Sequence, residues 1–305
     1  MQSSASQPKV RPASALPAHT RNDAAHAWDK AAQGWNSNAA LIRVWLADAT
    51  SAMLDATGIG VGARVLDIAA GAGDQTLDIA RRVGPQGYVL ATDISPCIMA
   101  LAQTNMGQAG LLQVQTQVAD AQALGDSLSL LGTRFDAAVC RLGLMFCTRP
   151  LDALTGARKT LIPGGRLAAL VFSQPQHNPC LAILMSTALR AAGLPPTSPF
   201  APGTLMSLGQ PGLLAQLLDD AGFADIEVKS IAAPFFAPTV RHYVDFVRTS
   251  GSPVMEILAS LAPEAQDRVW RDIESQLNVF TSSEGWVGPN ELLLCSAAAP
   301  NTKQF

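Results

Sequence analysis

The apolar positions of this chain keep two rhythms in turn. Between residues 22 and 60 they recur at helical spacing. "RNDAAHAWDKAAQGW" is alanine-rich, with Trp28 and Trp35 seven apart and therefore on one face, and Gly34 marks a candidate break. The next stretch, about 39–56, sets Ile42, Trp45, Leu46, Ala49 and Met53 on one stripe that Gly58 and Gly60 end. From Ala63 the rhythm becomes short apolar bursts separated by helical stretches. Strands are predicted at 65–68, 88–92, 112–118, 135–140 and 166–172, the last a nearly continuous apolar run suited to burial on both faces. Helices are predicted at 74–82, after Ser95 with Pro96 in the first helical position, and at 151–161, where "PGG" closes the turn. Strand and helix in alternation, with short connections, imply a doubly wound, mostly parallel α/β sheet.

Beyond residue 172 the pattern changes. Six prolines between 175 and 202 bracket a predicted helix at 181–192. "GLLAQLLDDAGF" is amphipathic and leads into "IEVKSIAA", a sixth strand. Further helices are predicted at 240–248, 254–261 and 264–280, the last with Val269, Ile273, Leu277 and Phe280 as its stripe. "ELLLCSA", 291–297, reads as a late strand returning to the sheet. The implied organisation is a disordered tail at 1–21, an N-terminal helical cap at 22–62, and a main domain at 63–305 with cap insertions at about 174–210 and 232–286. No internal repeat is visible.

Composition narrows the function classes. The 305 residues are 48% hydrophobic and 15% charged, with a formal net charge of −3, so the chain has a large core and no electrostatic case for a nucleic-acid partner. Five cysteines, at 97, 140, 147, 180 and 295, form no CxxC pair, and only Cys180 has a histidine nearby, His177. They read as free thiols rather than a disulfide framework or a metal site, and no metal is expected. Arg134, Asp136 and Arg141 interrupt the longest apolar run, and the Ser-, Ala- and Pro-rich N-terminus lacks a signal-peptide core. A cytoplasmic protein without stable membrane insertion is the expectation.

The chemistry starts in "VLDIAAGAGDQTLDIA", residues 65–80, a strand running through a glycine-spaced turn into a helix. Gly71-x-Gly73-x-x-Thr76 half-matches a dinucleotide fingerprint, with Thr76 in place of the third glycine. Asp67 at the strand end and Asp74 at the helix start flank the place where a pyrophosphate would lie, and carboxylates there repel a diphosphate. A ligand without phosphate and with positive charge reverses that sign. S-adenosylmethionine, with an ammonium and a sulfonium, is such a ligand: Asp67 would attract the ammonium, while Ala69, Gly71 and Gly73 keep the turn small. Asp93, in "VLATDIS" at the end of the second strand and twenty residues after Gly73, suits a pair of ribose hydroxyls. Asp120, in "VADAQAL" after the third strand, suits an adenine amino group, with Ala121 leaving room for the ring. Each acid taken alone also reads as a helix cap or a solvated turn.

"VLDIAAGAG", "ATDIS", "VADAQAL", "FDAAVCRLGLMF" and "LIPGGRLAALVFS" together resemble the successive motifs of class I S-adenosylmethionine-dependent methyltransferases. The nearest likeness is to the ubiquinone/menaquinone-biosynthesis C-methyltransferase-like group of small-molecule enzymes, over about 28–172. The resemblance implies a Rossmann-like methyltransferase fold of seven strands, the last antiparallel and inserted between the fifth and sixth. It also implies S-adenosylmethionine as cofactor and S-adenosylhomocysteine as product. The sequence departs from the group's commonest form in Ala69, where glycine is usual, in tryptophans where the quinone enzymes tend to carry tyrosines, and in Arg141 with "GLMF" after the fourth strand.

The remaining candidates follow from position. Ile94 beside Asp93 completes the cofactor set, and Arg141 is placed to contact the cofactor carboxylate, an anionic substrate or one of the three acids. His177, directly after the fifth strand, is the candidate general base, with an exposed loop histidine as the alternative. Trp28 and Trp35, Met145, Phe236 and Tyr243 are the candidate acceptor contacts, the tryptophans through their attraction for a sulfonium. Ordinary helix packing is the alternative for Trp28 and Trp35, and the preferred reading for Trp45 and Trp270. The expected activity is in-line methyl transfer to a small apolar or aromatic acceptor. The rivals are an NAD-dependent oxidoreductase and a non-catalytic protein that binds the cofactor. Oligomeric state stays open, a homodimer among the options.

Overall fold

The computed structural model describes residues 21–125, 134–250 and 252–301. The tail expected at 1–21 lies outside the described residues except for its last position. A mixed sheet forms the centre, built from β1 (Arg64–Ile68), β2 (Tyr88–Asp93), β3 (Val114–Val118), β4 (Phe135–Arg141), β5 (Leu161–Phe172) and β6 (Ala224–Ala232), with Glu291–Ala298 as its last strand. Three shorter strands, β7 (Phe235–Ala237), β8 (Thr281–Ser282) and β9 (Gly285–Gly288), pair separately, which makes the last strand β10. The seven-stranded order is β3-β2-β1-β4-β5-β10-β6. β10 runs antiparallel to both neighbours, with Leu292 opposite Phe172 and Ile231. That is the arrangement the resemblance implies.

Apolar content sets this order. Residues 65–68 of β1 and 137–141 of β4 are buried throughout, as central strands covered by helices on both faces must be. The edge strands β3 and β6 are more exposed and more polar. Successive strands run outward from β1 through β2 to β3, then restart on its other side at β4. The crevice at that reversal lies outside the strand carboxyl ends and is where ligands bind in such sheets.

Helices cover the faces and the crevice. α1 (Arg21–Ser37), α2 (Ala39–Trp45) and α3 (Ala47–Thr57) precede the sheet. α4 (Asp74–Val83), α5 (Pro96–Gln108) and α6 (Pro150–Thr160) alternate with strands, and α7 (Pro179–Ala191) and α8 (Leu213–Asp220) follow β5. α9 (Val240–Ser250), α10 (Ser252–Leu258) and α11 (Pro263–Leu277) complete the set. α1 packs on α5, α9 and α10. Asn38 Nδ2 donates to Thr249 Oγ1 and Ser250 Oγ, both at 2.9 Å, and Asp29 accepts from Ser95 Oγ and from the Cys97 N–H.

Several sequence expectations shift. Gly34 does not break α1: the helix runs through it, and a Cβ there would lie 1.9 Å from the Thr249 carbonyl oxygen, so the glycine lets two cap helices cross closely. The helix expected at 39–56 is two, hinged at Leu46, which is fully buried. β5 starts at Leu161 rather than 166: Phe135 pairs with Leu161 before the register shifts, so "PGG" is an irregularity inside the strand and not a closing turn. α11 ends at Leu277 and a 3₁₀ turn carries Phe280. The β7-β9-β8 sheet was not anticipated; its strands are too short for alternation to register.

Candidate functional site

A cavity opens at the strand carboxyl ends under the cap. Ala69, Ala70 and Gly71 line it after β1, Asp93 and Ile94 after β2, Asp120 and Ala121 after β3, and Arg141, Leu142 and Gly143 after β4. Trp28 and Trp35 reach it from α1, Trp45 from α2, Met145 and Phe146 from the turn after β4, and Phe172 from β5. Tyr243 and Phe246 come from α9 and Asn290 from the loop before β10.

The turn after β1 is wound tightly. Ala69, Gly71 and Gly73 all take positive φ, +54°, +58° and +92°. Ala69 accepts a conformation that costs an L-residue on the order of 1–2 kcal/mol, and Leu142 at the end of β4 does the same with φ +56°. Two strained residues at adjacent strand ends, both facing the cavity, mark it as a place where shape outweighs local stability. Gly71 also meets the cap: a Cβ there would lie 3.0 Å from Trp35 Nε1. Gly73 does not line the cavity. Its bare Cα instead admits α5, since a Cβ would lie 2.8 Å from Met106 Cε.

The acids divide into wiring and lining. Asp67, expected to attract the cofactor ammonium directly or through water, is fully buried and is not among the residues lining the cavity. Its two oxygens accept from Gln75 Nε2 and Thr76 Oγ1, the latter at 2.6 Å, tying the strand to the first turn of α4. Burial pushes its carboxyl up to about 7. Asp93 lines the cavity and accepts from the Gly71 N–H at 3.2 Å and the Ser95 N–H at 3.1 Å; burial raises its pKa against these bonds. Asp120 accepts from the Gln122 N–H at 2.9 Å and caps a short 3₁₀ turn.

Arg141 donates to Asp74 and, at 3.0 Å, to Thr50 Oγ1, and both members of the ion pair are buried. Its partner is therefore none of the three strand-end acids, and Asp74, read in the sequence as a bare anion, carries a compensating charge. The acidity of the cavity rests on Asp93 and Asp120.

Aromatic side chains complete the lining. Trp28 meets Trp35 edge-on at 6.1 Å and Phe146 at 5.1 Å. Trp45 stacks on Phe172 at 6.4 Å, and its Nε1 donates to the Ala233 carbonyl at 2.8 Å. Trp45 thus lines the cavity as well as packing, beyond the role the sequence suggested. Met145 is buried in the wall, its carbonyl accepting from Ser207 Oγ at 2.6 Å. Tyr243 stacks on Trp286 at 4.5 Å, and burial holds its phenol well above the ordinary range.

Two sequence candidates fall away from the cavity. His177 sits in a 3₁₀ turn with 48% of its side chain exposed, its Nδ1 paired with Glu291 at 2.7 Å, and it is not among the lining residues. Phe236 is 65% exposed, because alternation along β7 turns its neighbour Phe235 inward instead. No histidine lines the cavity among the described residues.

Gln75 and Asn290 are functional candidates the sequence reading missed. Both are buried, both line the cavity, and Gln75 Oε1 and Asn290 Oδ1 have no hydrogen-bond partner among the described residues. Glutamine at the third residue of a glycine turn gave no sequence signal of its own. Its meaning appears only once Asp67 fixes the amide nitrogen. The same oxygen tests the expected cofactor. An unpaired buried acceptor on a lining residue, with Asp93 and Asp120 in the same lining, calls for a ligand rich in donors and positive charge. A diphosphate would need the turn's backbone donors, and the Gly71 N–H is already engaged by Asp93. The residues fit S-adenosylmethionine and do not fit a dinucleotide.

The reversed last strand, the glycine turn and the acids at successive strand ends define the Rossmann-like methyltransferase fold, and solved structures agree. Phosphoethanolamine N-methyltransferase 2 of Haemonchus contortus, solved with phosphomonomethylethanolamine and S-adenosylhomocysteine, superposes with a TM-score of 0.56 at 16% identity, over 93% of this chain and 62% of that one. The [4+2]-cyclase SpnF superposes with a TM-score of 0.56 at 17% identity, over 95% and 100% of the two chains.

The sequence model of the ubiE/COQ5 methyltransferase family matches residues 40–187. The ubiquinone/menaquinone biosynthesis C-methyltransferase UbiE of Azotobacter vinelandii is 37% identical over 124 residues, 41% of this chain and 48% of its own length. That of Erwinia tasmaniensis is 34% identical over 126 residues, 41% of this chain and 49% of its own. Residues 40–187 thus resemble the class I S-adenosylmethionine-dependent methyltransferase domains of the ubiE/COQ5 group. The matches span about half the length of these curated relatives.

Proposed function

We propose that this protein transfers a methyl group from S-adenosylmethionine to a small apolar or aromatic acceptor held beneath the helical cap, with S-adenosylhomocysteine as product. The observation that carries the reading is the split of one cavity into an acceptor-rich side and an aromatic side. On the first, Asp93 would receive the ribose hydroxyls, Asp120 the adenine amino group and Gln75 Oε1 the ammonium, with Ile94 and Ala121 flanking the ring. Gly71 admits the methionine portion against the backbone. When bound, the cofactor supplies an activated methyl group on a sulfonium.

The protein's own contribution is placement and dryness. Trp28 and Trp35 roof the crevice and keep water from the reacting centre, and their ring faces favour a cation below them. Met145, Trp45, Phe172 and Phe246 offer an apolar acceptor a wall it can press against, so donor and acceptor are held close; alignment of this kind supplies up to about 7–11 kcal/mol in intramolecular models. His177 is not among the lining residues, so on this reading placement rather than a histidine base carries the transfer.

Calorimetric titration with S-adenosylmethionine, S-adenosylhomocysteine and NAD is the direct test. Tight uptake of the first two and indifference to NAD is expected, and the reverse overturns the proposal. Release of S-adenosylhomocysteine with an acceptor panel separates an enzyme from a protein that only binds the cofactor. Asp93→Asn is expected to weaken cofactor binding at least tenfold, because the amide replaces one of the two oxygens that accept from Gly71 and Ser95 with a donor. Unchanged affinity would remove Asp93 from the ribose site.

A further inference from the structure

The aromatic side of the cavity is not purely apolar. Asn290, only 6% exposed, donates from Nδ2 to the Gly288 carbonyl at 3.2 Å, while its Oδ1 is buried without a partner. The amide orientation is settled by Gly288: exchanging nitrogen and oxygen would set two carbonyl oxygens against each other. The residue is also clamped through its backbone. Its carbonyl accepts from the Ala233 N–H at 2.9 Å, and the Ala233 carbonyl accepts from Trp45 Nε1 at 2.8 Å. Tyr243, 3% exposed and stacked on Trp286, adds a phenol to the same cavity lining.

An unpaired buried polar group opposes folding, and a native chain that keeps Asn290 Oδ1 so in a cavity wall has a reason to. Asn290 directly precedes β10, which stands three strands from β1 in the sheet. At the usual strand spacing that is about 14 Å from the glycine turn, too far for Asn290 to serve the methionine end of the cofactor.

The geometry points to a subsite for a hydroxyl group on the apolar acceptor, its O–H donating to Asn290 Oδ1 and its oxygen accepting from the Tyr243 hydroxyl. A hydroxyl is the simplest group that gives one hydrogen bond and takes one, as this pair demands; an ether or a bare hydrocarbon leaves Asn290 unsatisfied. The phenol of Tyr243 keeps its proton at any ordinary pH because burial disfavours the phenolate, so it remains a donor. The inference rests on reading this side as the acceptor pocket, and it narrows the acceptor to a hydroxylated apolar molecule such as a phenol or alcohol.

The test compares 2-naphthol with 2-methoxynaphthalene by calorimetry on the full chain saturated with S-adenosylhomocysteine. The two probes share a ring system and differ in the donor. 2-Naphthol is expected to bind at least tenfold tighter, the size of one hydrogen bond to a buried acceptor. Asn290→Ala should reduce that preference to threefold or less by weakening 2-naphthol alone, and Tyr243→Phe should reduce it in part, both with unchanged S-adenosylhomocysteine affinity. Equal binding of the two probes to the unaltered chain, no detectable binding of 2-naphthol, or a preference that survives Asn290→Ala overturns the subsite. The comparison on the unaltered chain requires no variant to fold. Failure to bind S-adenosylhomocysteine would count against the cofactor reading alone, and the same probe comparison on the unliganded chain would still decide the subsite.

Discussion

Asp67→Asn separates the stability of the α4 turn from its grip on the cofactor. Asp67 is fully buried, and its carboxyl is pushed from an ordinary 3.8 up to about 7, chiefly by burial and against hydrogen bonds from Thr76 and Gln75. With a raised folded value, the native chain holds a proton that the unfolded chain gives up near 3.8. Stability therefore falls as pH climbs from about 4 to about 7, and the full penalty applies above that. The displacement is worth on the order of 4 kcal/mol at pH 8. A neutral amide escapes it, so the variant should melt several degrees higher at pH 8, with the gain shrinking steadily toward pH 4.

Binding should move the other way. The amide has one acceptor oxygen, which keeps the Thr76 bond, and one NH₂, which would oppose Gln75 Nε2. Gln75 resolves the conflict by turning over, which pairs its Oε1 with the new amide and presents its nitrogen to the cofactor ammonium. Losing one acceptor and gaining a facing donor should weaken S-adenosylmethionine at least tenfold. Scanning calorimetry from pH 4 to 8 and titration at pH 7.5 read the two effects separately. Lower stability at pH 8 would refute the burial argument, and unaltered cofactor affinity would refute the role given to Gln75.

Three further outcomes are expected. Gly71→Ala forces a side chain into φ +58° and sets its Cβ 3.0 Å from Trp35 Nε1, so about 1–2 kcal/mol of strain and a displaced tryptophan should appear as a lower Tm and weaker cofactor uptake; normal affinity would mean the cap and the turn do not meet. Arg141→Ala leaves Asp74 buried without its cation and should cost about 3–5 kcal/mol, most of it recovered on adding Asp74→Ala; additive losses in that cycle would show the pair is not coupled. His177→Ala should leave turnover within twofold of the unaltered enzyme, and a loss beyond tenfold would restore it as the base.

How much of this was legible in the sequence depends on the range of the interaction. β1, β2, β4 and the turn between β1 and α4 rest on local signals, apolar bursts and glycine spacing, and they are found where the pattern places them. The cavity-lining positions of Asp93, Asp120 and Arg141 also follow from strand order, since residues just past parallel strands converge on one edge. What a sequence does not carry is which neighbour answers which. Asp67 looked like a ligand contact because nothing local announces that Gln75 and Thr76 use both its oxygens. Arg141 finds Asp74 rather than a strand-end acid because β4 lies beside β1 and ends against the start of α4, a pairing set by sheet order. His177 and Phe236 were misplaced for a related reason: a loop histidine can face either way, and one residue of register along β7 decides between Phe235 and Phe236. Asn290 is invisible until β10 returns to the sheet from far along the chain.

The same division bears on the acceptor. The family match ends at residue 187, and the glycine turn, the acids and Arg141 all fall inside it. Trp28 and Trp35 precede it, while Tyr243, Phe246 and Asn290 follow it. The family match therefore covers the part of the cavity proposed for the cofactor and leaves outside it much of the part proposed for the acceptor. The fold adds no constraint there, since neighbours of equal similarity are named an N-methyltransferase and a cyclase. A quinone-type acceptor does not transfer from the UbiE enzymes by likeness alone. On the proposed reading, the substrate is one that an aromatic wall and an unpaired amide oxygen hold, and Tyr243, Phe246 and Asn290 lie beyond the matched segment.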